Sequence, residues 1–279
     1  MRISIQHLKE MKKRRQKIVM LTAYDYQMAQ ILDGAEVPVI LVGDSLGNVI
    51  LGYDTTIPVT VNDMIHHTKA VVRGSKKAMV VADMPFMSYQ ASNEEAIRNA
   101  GRILKETGAQ AVKLEGGLPI TDRVKAIVEA GIPVMGHIGL TPQSVYQLGG
   151  YKAQGKTLDA AKRLASDAKA LEDAGAFAIV VETIPSELAC HISQSLSIPV
   201  IGIGAGLGCD GQVQVIYDIL GMFGDYVPKH TRQYARLATN IFEAVKQFSS
   251  DVHAESFPSD KECISMGAVF WDALRDNPA

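Results

Sequence analysis

The chain has 279 residues, 47% of them hydrophobic, and a formal net charge of −2 at pH 7. That length and apolar content suit one large α/β domain and argue against disorder. The near-neutral charge supplies no basic field, so no nucleic-acid partner is expected.

In chain order, residues 3–15 read as a leading helix, whose basic run "KEMKKRRQK" is a solvated face. Short β-branched runs then predict strands at 18–23, 37–43, 78–83, 110–115, 133–138, 177–182, 199–204 and 213–219. Helix-like segments lie between them. Apolar residues recur at helical spacing over 94–107 and 157–174, and Gly108, Gly131 and Gly175 follow as helix stops. Eight strand–helix alternations predict a (β/α)8 TIM barrel over residues 1–248, with an appended tail at 249–279 that holds a short helix near 266–274. A doubly wound open sheet would need a glycine-rich loop after the first strand, where the sequence has "TAYDYQMAQ".

Three scattered cysteines, Cys190, Cys209 and Cys263, form no disulfide framework or CxxC pair, which suits a reducing, cytoplasmic setting. No apolar run is long enough to span a bilayer, so no membrane partner is expected. "IVMLTA" is too short for a signal-peptide core.

Four of the predicted strands end on an acid: "LVGDSLG" at Asp44, "AMVVADMP" at Asp83, "AVKLEGG" at Glu115 and "AIVVETIP" at Glu182. In such barrels the active site lies at the carboxyl ends of the strands, so these acids are expected on the rim of one cavity. Period-two alternation points Lys113 and Glu115 to the same side, and His137 ends the fifth strand. Crowded carboxylates repel unless a cation sits between them, and oxygen ligands suit a hard ion such as Mg²⁺. The plainer alternative is that each acid caps the helix that follows it or pairs with a surface cation. "IGIGAG" ends strand seven, where many barrels bind phosphate, and equally permits close backbone approach to a flat substrate or cofactor. The glycine-rich stretch from Gly136 to Lys156 reads as a long functional loop.

The stretches "TAYDY", "VGDSLG", "GYDTTIPVTVNDMIHHTKAV", "VADMPFMSY", "VKLEGG", "GHIGLTPQSV", "GGYKAQG" and "IPVIGIGAG…DGQV" follow one another in order. Together they resemble the ketopantoate hydroxymethyltransferase family, from about residue 3 to about 248. The resemblance implies a TIM barrel of the phosphoenolpyruvate/pyruvate superfamily, a Mg²⁺ site, and a homo-oligomer, typically a decamer. It implies the conversion of 3-methyl-2-oxobutanoate, 5,10-methylenetetrahydrofolate and water to 2-dehydropantoate and tetrahydrofolate.

Carried over residue by residue, it implies metal association for Asp44, Asp83 and Glu115. It implies substrate contact for Asp44, Ser45, Asp83 and Lys113, a place in the active-site wall for His137, and a proton-accepting role for Glu182. Asn48 and His230 depart from the residues usual at their positions, and the last stretch extends past the common core. The residues suit the chemistry. A 2-oxo acid chelates a metal that acidifies its C3–H, and a carboxylate apart from the metal takes the proton. Two other readings compete: a Mg²⁺-dependent 2-oxo acid lyase of the same superfamily, and a non-catalytic metal-dependent ligand-binding barrel.

Overall fold

The computed structural model describes residues 2–223 and 227–276. Eight parallel strands close into a barrel in sequence order: β1 (Ile18–Thr22), β2 (Val39–Val42), β3 (Met79–Asp83), β4 (Ala111–Glu115), β5 (Val134–Gly139), β6 (Ala178–Glu182), β7 (Val200–Ile203) and β8 (Gly211–Gln214). β8 pairs with β1, which closes the ring and excludes the open sheet.

The helices in chain order are α1 (Ile5–Lys13), α2 (Tyr26–Gly34), α3 (Leu46–Val49), α4 (Val61–Gly74), α5 (Asn93–Thr107), α6 (Thr121–Glu129), α7 (Val145–Leu148), α8 (Leu158–Asp173), α9 (Ser186–Ser195), α10 (Ile216–Ile219), α11 (Leu237–His253) and α12 (Ala268–Asp276). Their ends follow local chemistry. The side chains of Ser92 and Thr157 accept the backbone N–H groups of Glu95 and Ala160, capping α5 and α8. Gly108 ends α5 with φ +81°, in the left-handed region that costs glycine little.

Alternation sorts the strand residues into two layers. Met20, Val39, Leu41, Met79, Val81, Ala111, Met135, Val180, Ile201 and Val213 fill the barrel. Ile40, Val80, Val112, Leu114, Ile179 and Val181 face the helices. The same period carries the inward set on to Asp83, Lys113, Glu115, His137 and Glu182 at the carboxyl ends. At the other end Leu8 of α1 joins the interior cluster. Lys12 anchors that helix, donating to Asp210 Oδ2 and to the carbonyls of Ser193 and Ile198, each at 2.8 Å.

Two expectations need correction. The eighth strand, expected at 213–219, ends at Gln214, and Ile216–Ile219 turn into α10. The stretch after β5 is not wholly loop, since it holds a 3-10 turn at Pro142–Ser144 and then α7. α11 runs across residues 248 and 249. Among the described residues no helix is long and apolar enough to cross a membrane.

Candidate active site

The strand-end acids converge with two cations. Register places Asp83 beside Lys113, Glu115 beside His137, and Glu182 beside Gly139. Lys113 Nζ lies 3.0 Å from Asp83 Oδ1 and 3.9 Å from Glu115 Oε1. The His137 ring lies between two acids, with Nδ1 3.4 Å from Glu115 Oε1 and 3.2 Å from Lys113 Nζ, and Nε2 3.2 Å from Glu182 Oε2 without a well-directed hydrogen bond. Asp44, just past β2, donates its backbone N–H to Asp83 Oδ2 at 3.0 Å, and its own Oδ2 accepts from Gln143 Nε2 at 2.8 Å. The structure thus brings Asp44, Asp83, Lys113, Glu115, His137 and Glu182 together. Ser45 stands beside Asp44, its Oγ 2.8 Å from Tyr24 Oη.

The helix-cap alternative fails for Asp44. Ser45 holds the N-cap position of α3 without a side-chain cap bond, and the Asp44 carboxylate turns to Gln143 instead. Close backbone approach shapes the rim. Gly139 sits at φ +95°, and a Cβ there would lie 2.3 Å from the Glu182 carbonyl oxygen. The bare backbone lets Leu140 N–H donate to that oxygen at 2.8 Å. The "IGIGAG" glycines serve the chain's own packing, since a Cβ at Gly206 would meet Ser186 at 2.5 Å and one at Gly202 would meet Cys209 Sγ at 2.8 Å.

Burial and charge set the protonation. Burial pushes the Asp44 carboxyl well above the usual range, and repulsion from Glu115 and Asp83 adds to it. Burial also raises Asp83, although Lys113 works against the rise. Burial would raise Glu115 too, but His137, Lys113 and the Gln143 N–H outweigh it and hold Glu115 low. Burial and Lys113 oppose a charged His137, yet the acids on either side raise its pKa to about 9. Lys113 is raised despite burial, chiefly by Asp83 and Glu115, and carries its proton.

Residue-by-residue reading missed three polar side chains. Gln143 and Tyr89 are buried beneath the acids, with Tyr89 Oη 2.9 Å from the Glu115 carbonyl oxygen and 2.8 Å from Gln143 Oε1. Tyr24 backs Ser45. All three lie in stretches quoted above, but they act from loops, where strand alternation gives no signal. Tyr151, half-exposed, is close enough to Asp44 and Glu182 for their charges to help raise its phenol pKa, after burial. Among the described residues no three His, Cys, Asp or Glu side chains form a ready metal cage.

A sequence profile described as ketopantoate hydroxymethyltransferase matches residues 2–260. The chain belongs to that family. It is 64% identical over 275 residues to a 3-methyl-2-oxobutanoate hydroxymethyltransferase of Dehalococcoides mccartyi, covering 99% of this chain and 98% of that one. It is 56% identical over 273 residues to the enzyme of that name from Syntrophomonas wolfei, covering 98% and 99%. Family membership makes the chain an enzyme acting on small molecules. A solved 2,3-dimethylmalate lyase, a member of the PEP mutase/isocitrate lyase superfamily, superposes with a TM-score of 0.59 at 18% identity, covering 99% of this chain and 96% of that one. That likeness bears on the fold alone.

Proposed function

We propose that this enzyme converts 3-methyl-2-oxobutanoate, 5,10-methylenetetrahydrofolate and water to 2-dehydropantoate and tetrahydrofolate, with a Mg²⁺ ion at the strand ends. The charge count supports the ion. Asp44, Asp83, Glu115 and Glu182 bring four negative charges when ionised, and Lys113 and protonated His137 bring two positive ones. A divalent cation matches the surplus. The donor chemistry agrees, because the carboxylates offer hard oxygens and buried Asp83 Oδ1 has no well-directed hydrogen bond despite the nearby ammonium. Asp44 and Asp83 would hold the ion. Glu115, engaged by His137, Lys113 and Gln143, would complete the charge around it. When bound, Mg²⁺ supplies Lewis acidity to the keto and carboxylate oxygens of the substrate and acidifies its C3–H.

The chain's own residues do the rest. Lys113, charged and buried, anchors the substrate carboxylate, and the Ser45 hydroxyl, backed by Tyr24, positions the carbonyl end. Asp44 and Asp83 line the same end, and His137 forms the wall between Glu115 and Glu182. Glu182 takes the C3 proton. It is the acid farthest along the chain from the Asp44–Asp83 pair and the one whose side chain retains 15% exposure. C3 then takes up the one-carbon unit, whose hydroxyl oxygen comes from water. The folate would lie at the mouth, near Tyr151 and the stretch that follows β5.

The observation that carries this reading is the bridged set Glu115–His137–Glu182 beside an acid pair with surplus charge. Proton NMR of 3-methyl-2-oxobutanoate with the enzyme and Mg²⁺ in D₂O tests it. Loss of the C3 proton signal without folate, and product only with folate, is expected. Absence of Mg²⁺-dependent exchange refutes the metal-assisted step.

We also infer a homo-oligomer, a decamer by family resemblance. α11 buries none of its residues in one copy, and Phe242, Val245 and Phe248 are exposed on it, which supports association between copies. Light scattering on the eluting protein measures the mass. Free Cys190, Cys209 and Cys263 support a reducing setting such as the cytoplasm.

A further inference from the structure

Gln143 transfers no proton and holds no substrate in the reading above, yet its side-chain amide and its backbone N–H all meet the site. It is buried, in the 3-10 turn that follows β5. Its Nε2 donates to Asp44 Oδ2 at 2.8 Å and to the Met84 carbonyl at 2.9 Å. Its Oε1 faces Tyr89 Oη at 2.8 Å and accepts from Gln90 Nε2 at 3.3 Å. Its backbone N–H donates to Glu115 Oε2 at 3.0 Å. One residue therefore ties together the end of β4 and chain that follows β2, β3 and β5.

The amide can face only one way. The Met84 carbonyl is an acceptor at every pH, so a flipped amide would set oxygen against oxygen there and against Asp44. Tyr89 Oη, which also accepts from the Glu115 N–H at 3.1 Å, holds the other edge. The amide is neutral. It orients the Asp44 carboxylate without cancelling its charge, whereas Lys113 beside Asp83 does cancel charge. A charged donor at this place would reduce the surplus that attracts a cation. An apolar side chain would leave Asp44 Oδ2 and the Met84 oxygen buried without a donor.

We propose that Gln143 is a positioning residue, whose side-chain amide and backbone N–H fix the Asp44 and Glu115 carboxylates in the arrangement that receives the divalent cation. This rests on the Mg²⁺ reading above. Groups that orient metal ligands from behind affect affinity by about 10–100-fold when removed.

The test is Gln143→Met, which keeps length and removes both amide groups, with Mn²⁺ as the probe. Free Mn²⁺ is counted by electron paramagnetic resonance in titrations of wild type and variant, and thermal unfolding is recorded for each. The expected result is a Mn²⁺ Kd raised about tenfold or more in a folded variant. A lower Tm with an unchanged Kd overturns the proposal, because that is what a merely structural glutamine would give. Wild type that binds no Mn²⁺ overturns the cation reading and this one with it. Wild type that binds, with an unaffected variant, overturns this one alone. Should Gln143→Met not fold, Tyr89→Phe serves instead. It removes the hydroxyl that holds Oε1, and the Mn²⁺ Kd should rise about threefold, a smaller loss than direct removal gives. No rise in that variant counts against the proposal.

Discussion

Glu182→Gln keeps the shape of the side chain and removes its capacity to accept a proton from carbon. Glu182 Oε2 lies 3.2 Å from His137 Nε2, so a carboxamide can still meet the ring and preserve the lining of the site. Loss of a positioned base costs about 10²–10⁴-fold. Exchange of the C3 proton of 3-methyl-2-oxobutanoate in D₂O should slow by at least about 100-fold while the substrate still binds. A second effect follows at His137. The two flanking acids, working against burial and Lys113, raise the ring from 6.5 to about 9. At about 1.4 kcal/mol per pKa unit, that is roughly 3 kcal/mol of preference for the charged form. Removing one of the two acids while burial and Lys113 still oppose the charged ring should take away more than half of it and lower the ring's pKa clearly. Such a histidine contributes stability that is fully present below its unfolded pKa near 6.5 and lost as pH rises through about 9. In the variant that loss should come at lower pH. Proton exchange and ring titration of the metal-free protein, both by NMR, measure the two effects. Wild-type exchange in a folded variant would refute the base, and an unmoved His137 titration would refute its bridging between acids.

Three further expectations concern the frame around the site. Asp33 accepts the backbone N–H groups of Lys76, Lys77 and Ala78 at 2.8–2.9 Å. Burial works to raise its pKa, but these amides and Arg2 hold it below the usual carboxylate range. Its contribution is present above the unfolded pKa and lost as pH falls through the lower folded one. Asp33→Ala should cost about 2–4 kcal/mol by urea unfolding at pH 7, with a smaller deficit in acid. Equal deficits at both pH values would count against the carboxylate's role. Leu8→Ala should cost about 2–5 kcal/mol and leave kcat near normal, because Leu8 lies at the end of the barrel away from the acids. Gly139→Ala forces a Cβ against the Glu182 carbonyl, whereas Gly131→Ala, at φ +86°, meets nothing within 4 Å. Gly131→Ala should lose about 1–2 kcal/mol of stability to the left-handed backbone; Gly139→Ala should lose more because of the clash, and only it should lower kcat about tenfold or more.

The barrel and its acids were legible because one rule, the period of two, governs both. The side that fills the barrel at Val81 and Ala111 is the side that carries Asp83 and Lys113 two residues on from each. Helix ends were legible where a single residue decides them, as at Gly108. β8 was misread for a tertiary reason. "VQVIYDI" is mostly apolar, yet Ile216 N–H donates to Thr22 Oγ1 of β1 at 2.9 Å and the chain turns into α10. The strand starts earlier, at Gly211, where any Cβ would lie 2.2 Å from the Ile18 carbonyl oxygen. A run of glycine and glutamine carries no hydrophobic pattern, so its pairing with β1 could not be seen locally. Gln143 and Tyr89 were hidden for a similar reason. Their partners lie 26 to 99 residues away in the chain, and nothing in "PQS" or "MSY" names them.

The barrel alone leaves the chemistry open, since a lyase with 18% identity shares it. What narrows it in the proposed reading is how the four acids are partnered. Asp83 faces a full positive charge on Lys113. Glu115 and Glu182 share one imidazole. Asp44 has only a neutral amide, which leaves its charge uncompensated when it ionises, and burial with repulsion from Glu115 and Asp83 raises its pKa above an ordinary carboxyl. In that reading a divalent ion would relieve the surplus where the Asp44–Asp83 pair stands, and Glu182, at the far side of the imidazole, would be spared direct competition for it and stay available to a proton on the substrate. The proposed ligands and the proposed base therefore rest on different partners: Lys113 and Gln143 stand beside Asp83 and Asp44, and His137 stands beside Glu182.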